Sequence, residues 1–263
     1  MEAHNEAVPG TAAWLAEGLR LTAFLGEPLN AQPNLWWAEL VGQPPESETS
    51  RPREGEWQVD GPLDRPGISN ARLALSSSAA RIDWRLVARP ESDEAFFEPL
   101  HLGAFAEVMT VFVDMMLSWL ALGPLVLSRL ALGAVLKLPV ESRAQGYEIL
   151  SGYLPFPLDP DSSDFIYQIN RPRPSTSLGD GTLINRLQNW NVVQFQTQVV
   201  TISPGVSITE TPSEGRPFFA CRLSLDINTA AGRPDPLPQE RLSDLLRELA
   251  AETGEIAERG DQQ

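Results

Sequence analysis

Two similar stretches of sequence, INRPRPS at 169–175 and INRLQNW at 184–190, carry the side chains best suited to binding chemistry. Each places asparagine and arginine in a predicted strand, and the turn SLGDG between them would bring the strands together as a hairpin. Guanidinium and amide groups form paired hydrogen bonds with planar or anionic groups. The sequence therefore predicts a ligand- or partner-binding surface made of Asn170, Arg171, Arg173, Asn185, Arg186, Gln188, Asn189 and Trp190.

Alternation along the strands predicts how this surface faces. Arg186 and Gln188 share one side of their strand and are expected to point outward, whereas Leu223 on a later strand is expected to face the core. The polar side would be continued by Gln194, Gln196 and Gln198 and by Arg222, Ser224 and Asp226. The alternative interpretation is an ordinary solvated side of an antiparallel sheet that binds nothing.

Residues that could support catalysis are scarce. The two histidines, His4 and His101, are far apart in sequence, and the single Cys221 falls on the apolar side of a predicted strand. The acidic turn at 159–164 offers oxygen ligands for calcium but lacks the glycine and terminal glutamate of a calcium-binding loop. The sequence therefore predicts no catalytic residue, no metal site and no cofactor.

The apolar segment 101–138 forms the centre of the predicted architecture, as a long helix, a stop at Gly123-Pro124 and a strand. Its longest uncharged run, Met115 to Ser128, has 14 residues, and a membrane-spanning helix needs about 20. Glu107, Thr110, Asp114 and Ser118 recur at helical spacing. This pattern indicates a core helix with a polar edge, so no membrane association is expected.

The order of elements predicts the fold class. On each side of Gly123 the pattern reads strand, short helix, several strands and long helix, with polar loops at 43–55 and 203–216. This predicts an α+β protein of two tandem, pseudo-repeated units of antiparallel sheet, with the long helices packed on one face. The units would be 1–122 and 123–263, within one globular body. The layout resembles the duplicated sheet-and-helix folds of the TATA-binding-protein type, a resemblance that implies nothing about function.

Charge is distributed unevenly along the chain. Of the net −15, residues 1–122 carry −10, residues 123–234 carry 0 and residues 235–263 carry −5. Such an acidic chain repels nucleic acid and anionic membranes at long range. With one cysteine, no internal disulfide can form, which is typical of a reducing cytoplasm, and arginine-rich composition suggests a bacterial source.

These observations favour a cytoplasmic, non-enzymatic binding protein that uses a polar sheet face of its second half. The expected partner is a protein or a small ligand, and self-association is left open. One alternative is an enzyme of unfamiliar class, with Asp83, Arg129 and Asp164 converging between the halves. Another is an acidic inhibitor or nucleic-acid mimic, which would need the acids of residues 1–122 to form a ridge.

Overall fold

The middle of the chain forms a long apolar helix followed by a turn and a strand, as predicted. In the computed structural model of the protein, α2 (Phe105–Leu120) precedes β6 (Leu127–Val140). Nine apolar side chains of α2 are buried. The exposed residues of the helix include the polar stripe, Glu107, Thr110, Asp114 and Ser118. The predicted polar edge of a core helix is therefore confirmed.

The structure describes residues 13–28, 33–51, 55–89, 100–179, 181–195, 198–201, 209–212 and 217–261. Two residues considered above, His4 and Gln196, lie outside these ranges. Before α2, the chain forms β1 (Leu15–Leu25), α1 (Pro33–Val41), β2 (Ser47–Arg51), β3 (Glu56–Arg65), β4 (Ile68–Ser77) and β5 (Arg81–Ala88). After β6 come α3 (Arg143–Ser151), β7 (Ile166–Asn170), β8 (Arg173–Pro174), β9 (Leu183–Phe195), β10 (Gln198–Thr201), β11 (Thr209–Pro212), β12 (Phe218–Thr229) and α4 (Leu242–Arg259).

The strands of both predicted units join in one ten-stranded antiparallel sheet. Its order is β2-β3-β4-β5-β1-β6-β12-β9-β7, and β8 also pairs with β9. The join is the pairing of β1 with β6, in which Leu21 lies opposite Leu132. β10 and β11 form a separate hairpin. The predicted antiparallel α+β class is confirmed.

The helices cover one side of this sheet, which we call the helix face. Trp84 of β5 stacks on Trp37 of α1 and meets Trp119 of α2 edge to face. In the second half, α3 packs on β12 and β9, and α4 packs on β6 and β12. Both long helices also contact each other. A single apolar layer, continuous across β1 and β6, is therefore the core of the molecule.

We call the opposite side of the sheet the open face, because none of the helices in the described residues lies on it. Strand alternation assigns Arg20, Thr22 and Phe24 of β1 to this face, since Leu19, Leu21 and Ala23 are buried under the helices. On β5 the same alternation separates Arg81, Asp83 and Arg85 from the buried Ile82, Trp84 and Leu86.

Two segments differ from the prediction. The predicted loop 43–55 contains the edge strand β2, and the predicted turn 203–216 contains β11. Both strands are short and polar, and polar strands give no apolar alternation by which sequence could identify them. None of the helices in the described ranges is long and apolar enough to cross a membrane.

Candidate functional site

The eight residues of the predicted binding surface lie on two different faces of the sheet. Asn185 and Asn189 of β9 point to the open face, together with Asn170 of β7. Arg186, Gln188 and Trp190 alternate with them and point to the helix face, where each is buried. Arg171 and Arg173 follow β7 and reach toward α4.

The predicted outward orientation of Arg186 and Gln188 is therefore wrong, since their exposed fractions are 4% and 1%. The physical reason is that α4 covers this side of β9 and supplies carboxylates that compensate the buried charge. The inward orientation of Leu223 is confirmed. Its strand β12 places Arg222 on the open face, as predicted, where it pairs with Glu17.

The buried arginine belongs to a set of charges that we call the α4 ion cluster. It consists of Arg171, Arg173, Arg186, Glu252, Glu255 and Asp261. Arg186 Nε lies 2.5 Å from Glu252 Oε2, and Arg173 Nη1 lies 3.0 Å from Glu255 Oε2. Burial lowers the pKa of the Arg186 guanidinium, and the nearby Glu252 opposes that shift. Three predicted binding residues therefore hold a helix of their own chain.

Asp261, directly after α4, is the most highly coordinated acid of this cluster. It accepts two hydrogen bonds from Arg171, one from the Tyr167 hydroxyl at 2.6 Å and one from Gln188 Nε2 at 2.9 Å. Burial acts to raise the pKa of Asp261, but these hydrogen bonds outweigh it and lower the pKa. Gln188 in turn accepts the indole N–H of Trp190 at 2.8 Å. Gln188 and Trp190 are therefore internal structural residues.

The turn at 175–177 binds a second carboxylate of α4. Glu248 accepts hydrogen bonds from the hydroxyls of Ser175, Thr176 and Ser177 and from the backbone N–H groups of Thr176 and Ser177. Burial acts to raise the pKa of Glu248, but the hydrogen bonds prevail and lower it to about 2. This turn is an anion-binding loop already filled by the protein's own side chain.

On the open face, amide side chains form a row across neighbouring strands. Asn170 Nδ2 donates to Asn185 Oδ1 at 3.1 Å, and Asn185 Nδ2 donates to Asn228 Oδ1 at 3.0 Å. Arg129 of β6 donates to the same Asn228 oxygen at 2.6 Å. Nearby, Asn189 donates to Gln168 at 3.3 Å. We call Asn170, Asn185, Asn228 and Arg129 the amide row, and it includes two of the predicted residues.

The centre of the open face holds arginines that the predicted binding surface did not include. Arg20 of β1 lies directly opposite Arg85 of β5, and its guanidinium extends past Gly133 toward Asp226, at 3.9 Å. Arg129 lies over the ring of Phe24, 5.0 Å from its centroid. The signal was present in sequence, because RIDWRLV and LRLTAF alternate cleanly, but neither strand by itself indicates that the other lies beside it.

Asp83 is the buried acid of this central region. It accepts a hydrogen bond from the Thr22 hydroxyl at 2.6 Å and binds Arg81. The alternative enzyme site required Asp83, Arg129 and Asp164 to converge. β1 lies between the strands of Asp83 and Arg129, while β12 and β9 separate Arg129 from the β7 end where Asp164 lies. The sheet order therefore does not bring the three residues together.

Two buried groups have altered proton affinity. Lys137 is 1% exposed and donates to the carbonyl of Leu100 at 2.7 Å, and burial lowers its pKa to about 8 against the opposing charge of Glu17. Cys221 is fully buried, and burial raises the pKa of its thiol to about 12. A thiol with so high a pKa is a poor nucleophile at neutral pH.

The acidic turn at 159–164 is held by its own backbone, since Asp159 Oδ1 accepts the N–H of Asp161 at 2.9 Å. Across the described ranges, no group of three or more His, Cys, Asp or Glu residues is placed to hold a metal ion. Several acids of the first half bind arginines individually, including Asp60 with Arg72. This pairing does not favour a continuous acidic ridge.

No protein-family model matches the chain, and no curated protein matches it.

Proposed function

We propose that this protein is a non-enzymatic binding protein whose open face engages a partner protein through the partner's carboxylate and peptide groups. The observation that supports this proposal best is the separation of charge. The chain has a net charge of −15, yet the open face of the six central strands carries six arginines that solvent reaches and only three acids. The arginines are Arg20, Arg72, Arg81, Arg85, Arg129 and Arg222, and the acids are Glu17, Asp83 and Asp226. Lys137 also falls on this face but is buried against the carbonyl of Leu100, so it is not counted.

Like charges at the centre of this face strengthen the proposal. Arg20 and Arg85 are direct cross-strand neighbours, an arrangement that destabilises a sheet when nothing lies between the charges. Among the described residues Arg85 forms no ion pair, and the contact of Arg20 with Asp226 is loose at 3.9 Å. A carboxylate of a partner placed between the two guanidinium groups would relieve this repulsion.

The amide row supplies a different kind of contact on the second half of the open face. Asn170, Asn185 and Asn228 bond to one another, and Asn170 and Asn185 each retain further donor and acceptor capacity. Asn228 is buried and is already saturated by Asn185, Arg129 and Asp226. Amides match the peptide groups and amide side chains of a protein surface better than they match a uniform array of phosphates. Acids interspersed among the arginines, with the net charge of the chain, likewise favour a protein over nucleic acid.

A charge reversal tests the proposal without unfolding the sheet. Arg85→Glu would place a carboxylate opposite Arg20, so the variant should remain folded while its open face loses two units of positive charge. Parent and variant would be used to capture proteins from cells of the native source, with quantitative mass spectrometry of the bound fraction. We expect a specific partner to be recovered with the parent and lost with Arg85→Glu.

The matched control is Arg247→Glu, because Arg247 is an exposed arginine of α4 on the opposite side of the molecule. It changes the net charge by the same amount and should retain the partner. Equal loss with both variants would point to general charge effects, and equal retention would remove the open face from consideration.

We also propose that the two halves derive from a duplicated unit, divided near residues 122 and 123. Each half begins with a central strand followed by a short helix and ends with a long helix on the helix face. The two first strands, β1 and β6, pair antiparallel at the middle, with β5 and β12 as their outer neighbours. Co-expression of 1–122 and 123–263 as separate chains tests the division between the units, since two separable units that meet along β1 and β6 should reassemble.

A further inference from the structure

A groove on the helix side of the molecule is separate from the open face and from the α4 ion cluster. It is an open groove of about 430 Å³ between the start of β1, the first turns of α2 and the last turns of α4. Trp14, Phe105, Met109 and Tyr153 form its apolar floor. Ligand sites for small molecules have volumes of about 300–1,000 Å³ and linings of this apolar and aromatic character. We call it the α2–α4 groove.

Gly254 leaves the α4 side of the groove unobstructed. It lies inside α4 and lines the groove, and a Cβ added there would meet nothing within 4 Å. Glycine destabilises a helix interior relative to alanine, so a glycine here has a cost that close packing does not explain. A side chain at this position would extend into the open space at the groove lining.

The charge at the rim indicates what kind of molecule fits. Glu258 follows Gly254 by one helical turn and is exposed, and it is the single charged side chain among the described residues that line the groove. The aromatic rings of Trp14 and Tyr153 lie 5.6 Å apart, edge to face. A carboxylate beside electron-rich rings attracts ammonium groups.

We propose that the α2–α4 groove binds a small amphipathic cation, an ammonium group that carries an apolar chain. The chain lies against Met109 and Phe105, and the ammonium group lies at Glu258. This site is independent of the proposed partner binding on the open face, because the two lie on opposite sides of the sheet.

The test is isothermal titration calorimetry of the full chain with three probes of equal chain length: octylammonium, octanol and octanoate, each below its micellar concentration. We expect octylammonium to bind most tightly and octanoate most weakly. Shortening the ammonium probe should weaken binding by up to about fourfold per methylene, the effect of removing one buried CH₂ group. Glu258→Gln should bring octylammonium and octanol to similar affinity.

Gly254→Leu supplies the decisive variant, because a Cβ at this position meets no atom within 4 Å, the added side chain lies at the groove lining, and leucine favours the helix. We expect it to remain folded and to bind octylammonium with a Kd that is larger by about tenfold or more. Ala251→Leu is the matched control, since Ala251 is exposed on the same helix and outside the groove. It should bind as the parent does.

Three results would overturn the proposal: no heat of binding with any octyl probe, octanoate binding as tightly as octylammonium, or unchanged affinity in Gly254→Leu. Loss of partner capture in Arg85→Glu has no bearing on these titrations, so the two proposals can fail separately.

Discussion

The two long helices lie on the same face of one sheet, but different chemistry holds each of them. Every buried residue of α2 is apolar, and Trp119 packs edge to face against Trp36 and Trp84. α4 buries leucines as well, yet Glu248, Glu252 and Glu255 along its flank bind serines, threonine and arginines of the second half. The first helix is attached by hydrophobic burial, and the second is attached in addition by charge.

This contrast shows what buried charge adds to a helix that already has an apolar stripe. Leucine contacts tolerate small rotations of a helix, because the hydrophobic effect is non-directional. Carboxylates that must meet fixed guanidinium and hydroxyl groups allow one orientation only. The ion cluster therefore specifies the position of α4. The stability that it contributes depends on protonation, whereas the stability that apolar packing gives α2 does not.

The largest expected effect on stability comes from removing one buried residue beneath each long helix, Arg186 under α4 and Trp84 under α2. Arg186→Ala and Trp84→Ala should each cost about 3–5 kcal/mol. The first removes the close partner of Glu252, which keeps only the more distant Arg173, and the second opens a core cavity. Chemical denaturation of both variants measures these losses. Arg247→Ala is the control, and because its ion pair with Asp244 is exposed, it should cost no more than about 1 kcal/mol.

A double variant separates the two mechanisms. If uncompensated charge causes the loss in Arg186→Ala, then adding Glu252→Gln should restore part of the stability, giving a clear coupling energy. No such rescue should exist for Trp84→Ala. Strict additivity of Arg186→Ala and Glu252→Gln would mean that the buried pair does not act as a unit.

Gly260→Ala should have the next largest effect. Gly260 ends α4 with φ +72, and an added Cβ would overlap the backbone of Tyr153. Forcing a side chain into this conformation costs about 1–3 kcal/mol, and it would also displace Asp261 from Arg171. Thermal melting measures the loss. Gly179→Ala is a suitable control, because its φ is also positive but nothing lies within 4 Å of the added carbon.

The stability that the carboxylates of α4 contribute should also depend on pH. The pKa of folded Glu248 is lowered from 4.5 to about 2, so its contribution is fully present above pH 4.5. It is lost as the pH falls toward 2, because the unfolded chain takes up a proton more readily. Glu248→Gln should lower stability by about 1–3 kcal/mol at neutral pH.

The difference between parent and Glu248→Gln should shrink as the pH falls from 4.5 to about 2 in denaturation curves. A constant difference across that range would mean that the 175–177 turn does not hold the charged carboxylate.

The smallest expected effect lies on the open face. Arg85→Glu replaces a repulsive cross-strand pair with an attractive one, so stability should rise by about 0.2–1 kcal/mol. Denaturation in low and high salt checks the electrostatic origin, since screening should reduce the gain. A loss of stability would indicate that Arg85 has a structural role on this face.

Much of the fold could be predicted from sequence, because apolar alternation identified β4, β5, β9 and β12 and helical spacing identified α2 and α4. The orientation of β9 could not. On β12 the apolar residues from Cys221 to Ile227 alternate strictly with polar ones, and Arg222 falls clearly on the polar side. On β9 each side mixes apolar and polar residues, with Ile184 beside Arg186 on one and Leu187 beside Asn189 on the other. Only the position of α4 decides which side is covered.

The partners of the charged residues were beyond prediction for a related reason. Arg186 and Glu252 are far apart in sequence, and no local pattern links an arginine in a strand to a glutamate in the last helix. The same holds for Arg20 and Arg85, whose proximity depends on β1 pairing with β5.

The single cysteine provides a probe of how often α3 separates from the sheet. Cys221 is fully buried between β12 and α3, and its Sγ donates to the carbonyl of Gly146 at 3.4 Å. Because the thiol is buried and its pKa is raised to about 12, we expect it to react only when α3 separates from the sheet and water enters. Since the chain has no other thiol, the rate at which a thiol reagent labels the folded protein should report the frequency of this local opening.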